Sequence, residues 1–199
     1  MDISCVILAA GQGARMKAVL PKPLQIFRKR EILSHLLDTC FSLAPSKVIL
    51  IVGKNREVYS TFVSTLPSDQ LEKLELVVQT EPLGTAHALL QAKTKLSGPF
   101  FVFHGDNPFT SEKTLQKMLV LKKDKLGVSV VCTHSDPTGK GRILIKEGVI
   151  FQAIEERDCT EEQKLIKTGN FGIYLFDPRV FPLLEKIDSN NKQKEFYLT

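Results

Sequence analysis

The chain has 199 residues, of which 43% are hydrophobic and 25% are charged. This composition is typical of a soluble globular protein with one domain and a sizeable core. The net charge of +5 is spread along the chain, with its densest clusters at 28–30 and 122–123. Such spacing favours a solvated surface over a nucleic-acid-binding patch.

The sequence predicts neither a membrane protein nor a disulfide-stabilised one. No apolar run approaches the ~20 residues that a membrane-spanning helix needs, and the first residues lack the basic region of a signal peptide. The four cysteines are far apart and form no CxxC pair, which argues against a zinc site and a disulfide framework. Cys5 and Cys132 lie in apolar runs and are predicted to be core thiols. A reducing cytoplasm is the predicted location.

The first half of the chain alternates between short apolar runs and helical patterns. The apolar runs predict buried strands that start at Ser4, Lys47, Leu74 and Pro99. The helical patterns cover Glu31 to Leu43, Gly84 to Leu96 and Ser111 to Lys123, with Ser111 as an N-cap. Regular alternation of strand and helix predicts a parallel sheet with helices on both faces.

The pattern changes after Gly127, where apolar segments follow one another with few helical stretches between them. These segments predict antiparallel strands that are added to the parallel sheet. The sequence "KEG" at Lys146 is typical of a hairpin turn. The predicted fold class is therefore α/β, with a mixed sheet that is parallel in its N-terminal half and antiparallel in its C-terminal half.

The segment "VILAAGQGARMKAVLPKPL" at Val6 indicates a ligand-binding loop. Gly11 and Gly13 follow the first strand, and in an open α/β sheet the carboxyl ends of the strands are where ligands bind. Three cations follow, Arg15, Lys17 and Lys22, and prolines on both sides of Lys22 restrict the chain there. The loop is neither a GxGxxG fingerprint nor a P-loop. It is predicted to hold phosphates.

Several motifs together resemble the sugar-phosphate nucleotidyltransferases, and among them the uridyltransferase domain of the bacterial GlmU family. They are "LAAGQGARM" with "LPKPL", "QTEPLGTAHA", "HGDNP", "DPTGKGRI", "AIEERDCTEEQ", "TGNFGIYLF" and "KEFYLT", in the order of that family. The resemblance covers essentially the whole chain. It implies a Rossmann-like mixed sheet of the nucleotide-diphospho-sugar transferase (GT-A-like) type.

The resemblance also implies an activity, which is the joining of UTP and N-acetylglucosamine 1-phosphate to give UDP-N-acetylglucosamine and pyrophosphate, with Mg²⁺ as cofactor. Arg15 and Lys22 would hold phosphates, and Asp106 would be a catalytic residue and the metal ligand. Substrate contacts are implied for Leu8, Ala9, Ala10, Gly11, Gly13, His104 and Gly105. A local hydrogen-bonding role suits His104 better than metal ligation.

Two further groups are implied to select the base and the sugar. Gln79 would contact uracil, because an amide can donate to and accept from a base edge at once. Gly84 and Thr85 would start a helix whose free N–H groups also suit a ligand. The resemblance assigns Gly141, Glu155 and Asn170 to the sugar phosphate. Glu155 is chosen over its neighbour Glu156 because it keeps the family's spacing to Asp158.

Departures from the family pattern keep a second interpretation open. Ala14 stands where the family usually has Thr. The family's domain continues beyond "KEFYLT" and supplies a second metal ligand, so residues 1–199 are interpreted as one nucleotidyltransferase domain that is truncated at its C-terminus, without the acetyltransferase β-helix domain. The alternative is a truncated nucleotide-sugar-binding remnant with little or no turnover. A basic nucleic-acid-binding module is the third and least favoured hypothesis, and the sequence does not predict self-association.

Overall fold

A computed structural model of the chain describes residues 2–11 and 19–198. The first half contributes four parallel strands to one sheet, β1 (Ser4–Ala9), β4 (Lys47–Val52), β5 (Leu74–Val78) and β6 (Phe100–His104), and a separate small hairpin of β2 (Ile26–Phe27) and β3 (Arg30–Glu31). The four parallel strands occupy the predicted apolar runs. Their continuous apolar sequences suit a parallel sheet, because both faces of such a sheet are covered.

Seven α-helices are found in the described part of the chain. They are α1 (Ile32–Ser42), α2 (Arg56–Val63), α3 (Ser68–Leu71), α4 (Thr85–Leu90), α5 (Glu112–Lys122), α6 (Glu161–Lys164) and α7 (Phe181–Leu184). The predicted N-cap of α5 is confirmed, since the Ser111 hydroxyl accepts from the Thr114 N–H at 3.2 Å. The predicted helix from Gly84 is too long, because α4 ends at Leu90 and the chain continues as a 3₁₀ turn at Lys93–Lys95.

Helices cover both faces of the sheet, as predicted. Alternate side chains of β1 enter different apolar cores: Cys5 and Ile7 pack in one and Val6 in the other. The first core receives the buried faces of α1, α2 and α5, and the second receives those of α4 and α7. Each of these five helices thus buries one apolar face against the sheet.

The second half adds antiparallel strands, as predicted. They are β7 (Gly127–Thr133), β8 (Arg142–Lys146), β9 (Val149–Ile154) and β10 (Thr168–Phe176). β10 runs antiparallel to β6, β7 and β8. The predicted turn joins β8 to β9 through Glu147 and Gly148, whose φ angles of 51° and 76° are typical of a two-residue hairpin. Cys132, in β7, is half-buried and not the core thiol that was predicted.

The carboxyl ends of the four parallel strands lie at the same edge of the sheet, because the strands run in one direction. The strand order is β5-β4-β1-β6-β10-β8-β9, and β7 pairs with β10. From β1 the chain first builds β4 and β5 on one side and then returns to add β6 on the other, which creates a topological switch point between β1 and β6. Ligands of open α/β sheets bind at such a point.

No helix formed by residues 2–11 and 19–198 is long and apolar enough to cross a membrane.

Candidate functional site

A cavity of about 480 Å³ lies at the switch point. It is bounded by the ends of β1, β5 and β6, the start of α4, the short helix at Lys22–Leu24 and the C-terminal segment. Its lining contains ten of the predicted site residues, Leu8, Ala9, Ala10, Gly11, Lys22, Gln79, Gly84, Thr85, His104 and Asp106, together with Pro23, Pro82, Ala88 and Glu195. Gly13 and Arg15, which were also predicted, lie outside the described residues.

The end of β1 is held in place by hydrogen bonds from two neighbouring elements. The Gly105 N–H donates to the Leu8 carbonyl at 2.9 Å, which joins the ends of β1 and β6. The hydroxyl of Tyr59, on α2, donates to the Ala9 carbonyl at 2.9 Å and is fully buried. Among the described residues there is open space at Gly11, where a Cβ would meet nothing within 4 Å. A ligand can therefore lie against the backbone beyond β1.

Lys22 and Asp106 meet across the cavity. The Lys22 Nζ lies 2.7 Å from Asp106 Oδ2, and each side chain is about two-fifths exposed, at 42% and 41%. Pro21 precedes the short helix, and Pro23 and Leu24 are largely buried beside Lys22, so the backbone that carries the ammonium group is fixed. The predicted phosphate-binding cation and the predicted metal-binding carboxylate thus form one ion pair.

The ion pair keeps Asp106 ionised. Partial burial alone would raise the pKa of the Asp106 carboxyl, but the hydrogen bond and the positive charge of Lys22 outweigh burial, and the pKa lies below its ordinary value. Asp106 is therefore a carboxylate at neutral pH. A carboxylate of this kind is a suitable ligand for Mg²⁺, which accepts one or two protein oxygens and completes its shell with water and phosphate.

His104 ends β6 and lies beside Asp106. Burial lowers the pKa of the imidazole, the negative charge of Asp106 opposes this effect, and the pKa remains below its ordinary value of 6.5. His104 is therefore neutral at pH 7 and adds no positive charge to the cavity. Its Nε2 is buried and has no hydrogen-bond partner among the described residues.

The amide of Gln79 lies at the end of β5 with only 5% of the residue exposed. Its nitrogen is 3.1 Å from the Gly84 carbonyl oxygen and 2.9 Å from His87 Nδ1. Both amide hydrogens are directed at these two groups, which leaves the carbonyl oxygen for a ligand. The predicted contact of Gln79 with a base edge remains a prediction, and in this arrangement the amide has its acceptor oxygen for it.

The start of α4 is covered by the C-terminal segment. The Phe196 carbonyl accepts from the Ala86 N–H at 2.9 Å, and the Thr85 hydroxyl accepts from the Leu198 N–H at 2.9 Å. Gly84 has a φ of 112°, and a Cβ there would lie 2.5 Å from the Phe196 oxygen. The prediction of free N–H groups at this helix start is therefore corrected for Ala86, whose N–H is already bonded within the protein, and the Thr85 hydroxyl is bonded there as well.

The three residues assigned to the sugar phosphate lie together but outside the lining of the cavity. The Asn170 N–H donates to the Gly141 carbonyl at 3.1 Å, and the Glu155 carboxylate is 3.3 Å from the position of a Cβ at Gly141. Asn170 also donates through its side chain to the Tyr174 hydroxyl at 2.5 Å and accepts from the Gly172 N–H. One N–H and one lone pair of the Asn170 amide remain for a ligand.

A buried arginine forms an ion pair with Glu156, the chain neighbour of Glu155. Arg142 is 1% exposed, and its Nη2 lies 2.6 Å from Glu156 Oε2 in an ion pair whose geometry is poor for a hydrogen bond. Its guanidinium also donates to the carbonyls of Lys140 and Lys164. Glu156 thus pairs with Arg142, whereas Glu155 faces Gly141.

Sequence reasoning missed three residues that shape the site. Tyr59 and His87 act on the backbone of β1 and on Gln79 through contacts between distant elements, and no local pattern indicated them. Glu195 lines the cavity, and its position within the "KEFYLT" motif was the available signal. Among the described residues no group of three or more His, Cys, Asp or Glu side chains forms a metal site, so Asp106 is the metal-binding candidate on its own.

Comparisons with known proteins agree with this architecture. Residues 5–197 match the model of the MobA-like NTP transferase domain. The chain is 36% identical over 197 residues to the bifunctional protein GlmU of Thermus thermophilus and 37% identical over 200 residues to that of Bacillus licheniformis. Each alignment covers 97% of this chain and 42% of the relative, so the chain spans less than half the length of these relatives.

A solved structure shares the fold. The crystal structure of a UDP-glucose pyrophosphorylase in complex with UDP-glucose superimposes with a TM-score of 0.84 at 19% identity, over 100% of this chain and 84% of the other. The predicted fold class of the nucleotide-diphospho-sugar transferases is thereby confirmed, as is the resemblance to GlmU that the motifs indicated. The chain belongs to the family of MobA-like NTP transferase domains.

Proposed function

We propose that this protein is a nucleotidyltransferase that joins UTP and N-acetylglucosamine 1-phosphate to give UDP-N-acetylglucosamine and pyrophosphate. The observation that carries the proposal is that Gln79, Lys22 and Asp106 surround one cavity at the switch point of the sheet. They are respectively a buried amide that suits a base, a cation that suits phosphates and a carboxylate that suits a metal ion. The similarity to the GlmU proteins supports this choice of substrates.

The reaction requires little covalent chemistry from the protein. An oxygen of the sugar phosphate attacks the α-phosphorus of UTP, a new P–O bond forms, and the P–O bond to pyrophosphate breaks. The two substrates are both polyanions, so catalysis depends on neutralising their charge and on holding them in line. No Ser–His–Asp arrangement or other protein nucleophile is needed.

The residues around the cavity suit these tasks. Gln79 accepts a hydrogen bond from the base, and the backbone beyond β1 lies along the nucleotide. Lys22 donates to phosphate oxygens, and Arg15, outside the described residues, is assigned the same role. Asp106 would hold Mg²⁺, which when bound neutralises phosphate charge and orients the reacting groups. Glu155 and Asn170, which lie together outside the lining of the cavity, are assigned to the hydroxyl and acetamide groups of the sugar.

The proposal is tested by pyrophosphate release from a panel of substrate pairs. UTP, CTP, GTP and dTTP are each mixed with N-acetylglucosamine 1-phosphate or glucose 1-phosphate in the presence of Mg²⁺. We expect the highest kcat/KM for UTP with N-acetylglucosamine 1-phosphate. A higher value for another pair would replace the substrates in the proposal. Binding of UTP without turnover of any pair would favour a nucleotide-binding protein over an enzyme.

A further inference from the structure

We propose that His87 is a positioning residue that fixes the Gln79 amide with its oxygen toward the cavity, and that this orientation makes the site select uracil over cytosine. The inference deepens the proposed function and rests on it, since it requires that the cavity binds the base of a nucleotide. It concerns a contact between β5 and α4, and it gives a defined role to a side chain that touches no substrate.

The orientation of the Gln79 amide follows from its partners. The Gly84 carbonyl, 3.1 Å from the amide nitrogen, can only accept a hydrogen bond. The nitrogen must therefore face Gly84, because the reverse orientation would bring two carbonyl oxygens together. The second N–H of the amide is directed at His87 Nδ1, 2.9 Å away. Both donors are used inside the protein, and the oxygen is the group that remains.

The contact with Gln79 also favours one tautomer of the His87 ring. To accept from the amide, Nδ1 must carry no hydrogen, which places the ring hydrogen on Nε2. Gln91 makes a competing contact, with its amide nitrogen 3.3 Å from His87 Nε2. That contact is longer, and the same nitrogen already donates to the His87 carbonyl at 3.0 Å. The shorter contact with the more buried Gln79 therefore decides the tautomer.

Because the amide nitrogen of Gln79 is directed into the protein, the site offers an acceptor to the base and prefers a base that carries a donor. The Gln79 oxygen can accept from the N3–H of uracil, whereas cytosine has a lone pair at N3 that the oxygen would repel. If the amide were rotated by 180°, its N–H groups would face the cavity and would favour cytosine instead. His87 and Gly84 together oppose that rotation, and of the two only His87 acts through a side chain that can be replaced.

The test compares the affinities for UTP and CTP in four proteins under the same Mg²⁺ concentration. The wild-type chain should bind UTP more tightly than CTP. His87→Leu removes the acceptor and should lower the UTP-to-CTP affinity ratio about tenfold. His87→Asn offers an oxygen where Nδ1 stood and should restore a ratio near that of the wild type. Gln91→Ala is the matched control, because it removes a contact with the same imidazole and should leave the ratio unchanged.

A second readout needs no nucleotide. Nitrogen-15 NMR of the His87 ring in the ligand-free protein should show the hydrogen on Nε2 and an unprotonated Nδ1. A hydrogen on Nδ1 would overturn the inference, as would a folded His87→Leu variant that binds UTP and keeps the wild-type ratio. A wild-type protein that binds neither UTP nor CTP would overturn the proposed function. Failure of the His87 inference alone would leave UTP binding intact, so the two outcomes are distinguishable.

Discussion

Lys22 and Asp106 illustrate how much of the candidate site depends on single side chains. Their ion pair is two-fifths exposed, and pairs with such exposure stabilise a fold by only ~0–1 kcal/mol. A contribution this small leaves both groups free to exchange partners. Under the proposed function, the ammonium group would exchange this carboxylate for phosphate oxygens, which are more highly charged.

Replacement of Lys22 by Ala is expected to weaken UTP binding without unfolding the protein. The substitution removes the phosphate donor and leaves the Asp106 carboxylate unpaired, so both effects act against a polyanion. A charge-assisted hydrogen bond corresponds to a loss on the order of 10-fold to 100-fold in affinity. Titration calorimetry measures the loss, and thermal melting reports the fold.

Lys73→Ala is the matched control for this prediction. Lys73 is exposed and precedes β5, so it carries the same charge at the opposite edge of the sheet. Its replacement should leave UTP affinity nearly unchanged. Equal affinities in the wild type and Lys22→Ala would show that Lys22 does not contact the nucleotide.

His104 should make the stability of the protein depend on pH. Because the pKa of His104 in the folded state lies below its ordinary value of 6.5, the unfolded chain binds a proton more readily than the folded chain. Its contribution is fully present above pH ~6.5 and is lost as the pH falls toward the lower, folded-state pKa. His104→Asn has no such group, so its free energy of unfolding should fall less between pH 7.5 and pH 5.5. Urea titrations of both proteins at these two pH values measure this change. An equal fall in the free energy of unfolding of the wild type and His104→Asn would show that His104 is solvated.

At the scale of elements, the contact between α4 and the C-terminal segment connects the middle of the polypeptide to residues near its C-terminus. Leu83 accepts from the Phe196 N–H at 2.8 Å, and Phe196 accepts in turn from Ala86. The close approach is possible because Gly84 has no side chain and has a φ of 112° with a ψ of 176°, a backbone region that is essentially restricted to glycine. Gly84 therefore determines whether the segment that carries Glu195 can reach the cavity.

Gly84→Ala is expected to destabilise the fold and to detach this segment. Backbone strain alone costs about 1–3 kcal/mol, and the new Cβ would in addition collide with the Phe196 backbone at 2.5 Å. Urea denaturation measures the free energy of unfolding, and limited proteolysis after residue 190 reports the detachment. Gly148→Ala is the control, since Gly148 has a φ of 76° but a Cβ there would meet none of the described residues within 4 Å. It should show the strain without the detachment, and equal effects of the two substitutions would contradict the role of Phe196.

At the scale of the whole molecule, the sequence predicted the architecture better than the contacts within the site. The four parallel strands were predictable because strands covered on both faces are continuous apolar runs. The hairpin after β8 was predictable from local turn chemistry at Lys146, Glu147 and Gly148. The order of the strands was not, because it depends on pairing between segments that are far apart in the chain.

In the candidate site too, features that depend on local sequence were predictable, and features that depend on contacts between distant segments were not. The residue types at the ends of β1, β5 and β6 indicated where Gln79, Lys22 and Asp106 would meet. The direction of the Gln79 amide and the capping of α4 by Phe196 could not be predicted, because each depends on partners from another element. The short extent of α4 was missed for a related reason, since Ala92 is fully buried beyond its end and continues the apolar pattern.

The central claim is that the cavity at the carboxyl ends of β1, β5 and β6 binds a nucleotide. Hydrogen exchange of the backbone amides with and without UTP and Mg²⁺ tests this claim most directly, because a bound ligand slows local opening. We predict slower exchange in residues 8–11, 79–88 and 104–106, and unchanged exchange in residues 44–47 at the opposite edge of the sheet. At a saturating UTP concentration, unchanged exchange in the three predicted segments, with protection elsewhere, would contradict the account.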